Sequence, residues 1–114
     1  MKNKYNVYDI AGEVIKDDDR YKVTDNTKLN NLVLSSTDLY AYGSTTGHKH
    51  VGQEEVYMFI KGSGTMELDE QVIDVKADDV VQIPDGVFHR CHASKEGLYF
   101  VCIFDGGRNH WRLH

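Results

Sequence analysis

The stretch Gly43 to Gly62, GSTTGHKHVGQEEVYMFIKG, decides the fold and the chemistry expected of this chain. It holds His48-Lys49-His50, then Glu54 and Glu55, then a strand-like run that ends at a glycine. Residues two apart on a strand point to the same face, so His48 and His50 project together while Lys49 points away. Two such imidazoles can chelate one ion without distorting the backbone. Glu55 opens the next strand, and parity puts Glu55, Tyr57 and Phe59 on one face, leaving Glu54 to the other face or to the preceding loop. A second stretch, Pro84-Asp85-Gly86-Val87-Phe88-His89, carries the only proline and adds a third imidazole just after a turn. Three imidazoles and a carboxylate make a complete ligand set for one divalent transition metal.

The rest of the chain reads as nearly all β. Short runs rich in Val, Ile, Tyr and Phe fall at Asn31–Ser36, Leu39–Tyr42, Glu55–Lys61, Thr65–Leu68, Val72–Val75, Val80–Ile83, Phe88–Ala93 and Leu98–Phe104. Turn signals separate them at Gly62-Ser63, Asp69-Glu70-Gln71, Ala77-Asp78-Asp79 and Lys95-Glu96-Gly97. Many short strands so spaced predict a sandwich or barrel. Residues 1–30 are a polar segment in which Tyr5–Ile10 and Tyr21–Thr24 could each add an edge strand, with Asp17-Asp18-Asp19 as a solvated loop. Residues 31–105 form the barrel and residues 106–114 a tail.

The two motifs resemble those of the cupin superfamily. His48-x-His50, four residues, Glu55, six residues and Gly62 match the first cupin motif, with Gly43 one residue closer to His48 than usual. Pro84-x-Gly86 and His89 match the second, with Asp78 where a glycine is usual and Ala93 where an asparagine is usual. The resemblance covers roughly Leu32 to Phe104. It implies a double-stranded β-helix, or jelly-roll barrel, in which His48, His50, Glu55 and His89 bind one divalent transition metal (Zn, Mn, Ni, Fe or Co). The spacing to Gly62 favours Glu55 over Glu54.

Two hairpins follow if the glycines are read as turns. A two-residue turn at Gly62-Ser63 sets Phe59 against Met66 and Tyr57 against Leu68. A four-residue loop over Ser94–Gly97 sets Cys91 against Phe100 and His89 against Cys102. Tyr57, Phe59, Met66, Cys91, Phe100 and Cys102 then line a substrate pocket on the metal face. The cysteines read as buried thiols, with a disulfide poorly placed and a cysteine ligand a minor alternative. His92 has outward parity and reads as a surface residue, and Gln82 is ambiguous.

Composition narrows the partners. The 114 residues carry 13 Lys and Arg against 18 Asp and Glu, a formal net charge of -5, and 40% are hydrophobic. That suits one compact domain. No basic stripe is visible, which argues against nucleic acid and anionic membrane. MKNKYNVYDI lacks the apolar core of a signal peptide, so a cytoplasmic location is the default expectation. Val56, Met58 and Ile60 alternate with the metal face, as do Val101 and Ile103, so the outer face also needs a cover. A homodimer is expected to supply it, as the resemblance also implies; alternatively residues 1–30 fold back over it.

Three functions fit. The first is isomerisation of a sugar or sugar phosphate, since small cupins with an EEVY-type strand resemble phosphomannose isomerases; Lys61, Arg108 and Arg112 are the candidates for a phosphate. Parity turns Lys49 and Arg90 outward. The second is an iron-dependent dioxygenase acting on a partly apolar substrate. The third is a non-catalytic module that binds a small molecule or metal.

Overall fold

The computed structural model describes residues 2–49 and 51–106. Seven strands form one antiparallel sheet: β1 (Glu13–Asp17), β2 (Tyr21–Asn26), β3 (Leu32–Leu39), β4 (Glu55–Leu68), β5 (Gln71–Lys76), β6 (Val80–Ile83) and β7 (His89–Asp105). The order is β1-β2-β3-β7-β4-β5, with β6 also paired to β4. No helix occurs among the described residues, and none is long and apolar enough to cross a membrane. The molecule is all-β, as the patterning predicts, and is the jelly-roll barrel that the cupin resemblance implies.

Two long strands carry the design. β4 and β7 run antiparallel from Glu55 opposite Phe104 to Leu68 opposite His89, with register shifts between Phe59 and Lys61 and between Gly62 and Gly64. The first half of β4 and the second half of β7 join β3 and β6; their other halves join β5 and the segment leading to His48. Each strand therefore belongs to both walls of the barrel. The two expected hairpins are absent. Met66 pairs with Cys91, Leu68 with His89, Phe59 with Phe100 and Tyr57 with Cys102.

The physical reason is that glycine here bends a strand instead of reversing it. Gly62 sits at φ 87°, a left-handed conformation, yet stays paired with Leu98. A Cβ at Gly64 would collide with the His92 carbonyl oxygen, so only glycine lets β4 and β7 close to this distance at the bend.

Other boundaries also moved. Asn31–Ser36 and Leu39–Tyr42 are not two strands: β3 runs unbroken to Leu39, and a turn follows at Ala41-Tyr42. Tyr5–Ile10 holds only one isolated bridge, Asn6 to Asp9, while β2 lies inside the sheet between β1 and β3. β1, unforeseen in the sequence, is the edge. Between β1 and β2, Asp18 organises the turn by accepting from the Arg20 and Tyr21 backbone N–H groups and from the Arg20 guanidinium. Those bonds to Arg20 hold the Asp18 carboxyl at about 2, below the usual carboxylate value.

The core is the inward-facing cluster of Tyr21, Val23, Leu39, Phe59, Met66, Leu98, Phe100 and Phe104 with its neighbours. Part of the outer face is covered within the chain. Tyr8 stacks on Tyr99 with centroids 5.3 Å apart, and the Tyr99 hydroxyl donates to the Val7 carbonyl at 2.6 Å. Asn26 Nδ2 donates to the Ile10 carbonyl at 2.8 Å.

Candidate metal centre

The segment that carries His48 is stitched to the first half of β7. Ala93 N–H donates to Gly43 O, Thr45 N–H to Cys91 O, and His48 and His89 exchange both backbone bonds at 3.2 and 2.9 Å. Between the Ser44–His92 and His48–His89 bridges, three residues on one side, Thr45 to Gly47, thus face two on the other, Arg90 and Cys91, and the bulge is held by side chains. Thr45 Oγ1 accepts from Cys91 N–H, and Arg90 Nε donates to Thr45 O. A further chain runs along the outside: Ser44 Oγ lies 2.6 Å from His92 Nδ1, and His92 Nε2 lies 2.6 Å from Glu67 Oε2. His92 is thus a half-buried strut and not a plain surface residue, which no parity argument could reveal because Ser44 is remote in sequence.

The bridge brings His48 and His89 together, with ring centroids 4.5 Å apart. Opposite them Glu55, first residue of β4, is buried with its Oε1 3.7 Å from His89 Nε2. One ligand atom from each of His48, Glu55 and His89 falls within 4.8 Å of the other two. His48 Nδ1 lies 3.1 Å from the Thr46 carbonyl and His89 Nδ1 3.1 Å from the Val87 carbonyl. A carbonyl only accepts, so each Nδ1 carries a hydrogen, and in the neutral ring Nε2 is the nitrogen that could act as a ligand. Two imidazole nitrogens and a carboxylate are donors that suit a divalent transition metal and could hold one. His50, the fourth expected ligand, lies outside the described residues, as do Arg108 and Arg112. Glu54 is exposed in the loop before β4.

The six expected pocket residues all face the interior and are buried. Tyr57 links them to the metal donors, packing flat on Phe100 at 4.8 Å and edge-on to His89 at 5.7 Å. Cys91 and Cys102 are free thiols. Burial, with Cys102 nearby, pushes the Cys91 thiol far up, so it is a protonated, inert wall residue. Gln82 is exposed. Lys61 lines a separate cavity with Asp38, Tyr40 and Glu96, away from the metal donors. A cavity of about 490 Å³ touches Glu55 beside Leu32, Val56, Glu54, Asp85 and Asp105, and includes neither His48 nor His89.

Barrel and donor set together define a small jelly-roll protein with one possible metal site at the junction of its two walls. Residues 39–104 match the cupin domain, and the chain belongs to the cupin family. An uncharacterised protein of Streptomyces coelicolor is 32% identical over 71 residues, covering 60% of this chain and 68% of that one. Among solved structures, KdgF from Halomonas sp. is similar with a TM-score of 0.74 and 13% identity, covering 85% of this chain and 88% of that one. A deletion mutant of Bacillus subtilis oxalate decarboxylase OxdC superposes with a TM-score of 0.78 and 20% identity over 89% of this chain. This chain spans only 29% of that enzyme.

Proposed function

We propose that this cupin binds one divalent transition metal through His48, Glu55 and His89 together with His50, and acts as a homodimer on an uncharged, hydroxyl-rich small molecule. Aldose–ketose isomerisation of a neutral sugar is the reaction that fits best. The observation that carries the reading is the pair of carbonyl-held histidines, which bring a ring nitrogen each to within 4.8 Å of the buried Glu55 carboxylate. A divalent ion bound there supplies Lewis acidity toward a carbonyl or hydroxyl oxygen.

Charge decides between sugar and sugar phosphate. A phosphate calls for Arg or Lys, whereas none of the six inward-facing wall residues is basic and Lys61 lines a separate cavity.

The test is elemental analysis of purified protein beside a His48→Ala/His89→Ala double variant. About one transition-metal ion per chain, lost in the variant, supports the site; no uptake by the native chain from any added ion removes it. Metal-loaded protein is then incubated under nitrogen with neutral aldoses and their phosphates and followed by carbon NMR. Conversion of the neutral sugars supports the reading, and exclusive conversion of phosphates overturns its charge argument.

A further inference from the structure

Asp69 is the first residue after β4 and is exposed, yet its side chain is tied to the approach to the candidate metal donors. Its Oδ1 accepts from the Phe88 backbone N–H at 2.9 Å, and its own N–H donates to the Phe88 carbonyl at 2.8 Å. A turn aspartate usually bonds a backbone group about two residues on. This one reaches a residue 19 positions away, so the turn it sits in does not account for the bond.

The Phe88 N–H belongs to the same planar peptide unit as the Val87 carbonyl. That carbonyl lies 3.1 Å from His89 Nδ1 and accepts its hydrogen. In a trans unit the N–H and the C=O point in opposite directions, so a group that grips one end sets the direction of the other. Carboxylate, peptide and imidazole therefore form one chain, from Asp69 Oδ1 through Phe88 N–H and Val87 O to His89 Nδ1–H. His89 Nε2 ends it, 3.7 Å from Glu55 Oε1. The ring of Phe88 adds a second hold. A Cβ on Gly47 would fall 2.2 Å from Phe88 Cζ, so the ring rests on the residue before His48.

We infer that Asp69 is a positioning residue for His89, acting through the peptide unit between Val87 and Phe88. This deepens the proposed metal binding and rests on it. The carboxylate keeps the Val87 carbonyl turned toward Nδ1, which holds the hydrogen there and leaves Nε2 as the ligand nitrogen. Its bond to the N–H is charge-assisted and polarises the peptide unit. A more strongly accepting carbonyl in turn makes the imidazole a better donor to a cation.

The experiment compares the full native chain with Asp69→Gly and Asp69→Asn. Glycine tolerates the φ of 53° at this position and removes the acceptor, whereas asparagine tolerates it and keeps a carbonyl oxygen there. Nitrogen NMR of the zinc-free chain in mildly alkaline buffer reads the His89 tautomer, and competition with a chelator reads zinc affinity. Native protein and Asp69→Asn are expected to hold the hydrogen on Nδ1, and Asp69→Gly to show a mixture with the Nε2–H form. Zinc affinity is expected to fall by about tenfold or more in Asp69→Gly, with most of it recovered in Asp69→Asn. An unchanged tautomer and affinity in Asp69→Gly overturn the inference. So does a lower melting temperature with both readouts unchanged, which would leave Asp69 as a turn residue. An equal loss in both variants overturns the positioning role, since asparagine keeps the bond and lacks the charge. Native protein that takes up no zinc overturns instead the metal reading on which the inference rests.

Discussion

Asp78 stands where the cupin pattern has glycine, and its backbone shows why that position matters. It adopts φ 78°, and its N–H donates to the Phe59 carbonyl at 2.8 Å, tying the turn after β5 to the bend of β4. The left-handed conformation is kept even though the glycine is gone. Aspartate tolerates it better than most residues because its short polar side chain can bond locally, but it still bears some steric cost. Asp78→Gly is therefore expected to raise stability by about 0.5–1 kcal/mol, once the greater freedom of glycine in the unfolded chain is subtracted. Urea unfolding checks this, and a lower midpoint in the variant would show that the Asp78 side chain has a role beyond its backbone. The candidate metal donors behave differently. Their residue types and spacing were legible because ligand chemistry and strand parity are local. The hydrogen bonds that fix their tautomers were not, because Thr46 and Val87 act through carbonyls, which any residue has.

At the scale of elements, β4 and β7 explain both what the sequence revealed and what it concealed. The apolar runs Glu55–Lys61 and Thr65–Leu68 were each recognisable as strand, as were Phe88–Ala93 and Leu98–Phe104. Their continuity was not. A glycine between two strand-like runs carries the same local signal whether the chain reverses or bends, and only the partner strand decides. Here Gly62 and Gly64 pair with Leu98 and Ala93 of β7, so the bend is shared by two strands and closes the barrel. If the bend depends on close approach, Gly64→Ala should cost about 1–3 kcal/mol, the usual range for overpacking a tight site. Denaturant midpoints measure the loss. A variant as stable as the native chain would mean that β4 and β7 can separate at the bend without penalty.

For the whole molecule, the open question is what covers the outer face. Residues 5–10 cover one part of it, through Tyr8 on Tyr99 and Ile10 against Asn26. Beyond them Leu32, Ile103 and Val80 remain 47%, 36% and 62% exposed, beside the half-exposed Val56 and Met58. These residues are contiguous through register: Ile103 pairs with Leu34 and Val56, and Met58 with Val80. A contiguous apolar patch on a sheet already buried on its other side matches the need for a second layer. A second copy supplies one economically, because a two-fold axis sets the same patch against itself. Light scattering after size exclusion is expected to give twice the 13.0 kDa chain mass. Ile103→Asp should shift the mass to the monomer, since two carboxylates would then meet across the axis. Val72→Asp, on β5 at the far end of the strand order from β1, should leave it unchanged. A native chain that runs as a monomer at micromolar concentration would refute the homodimer and leave the patch to some other partner. A dimer that survives Ile103→Asp but not Val72→Asp would move the interface to the β5 side, across the barrel from residues 5–10.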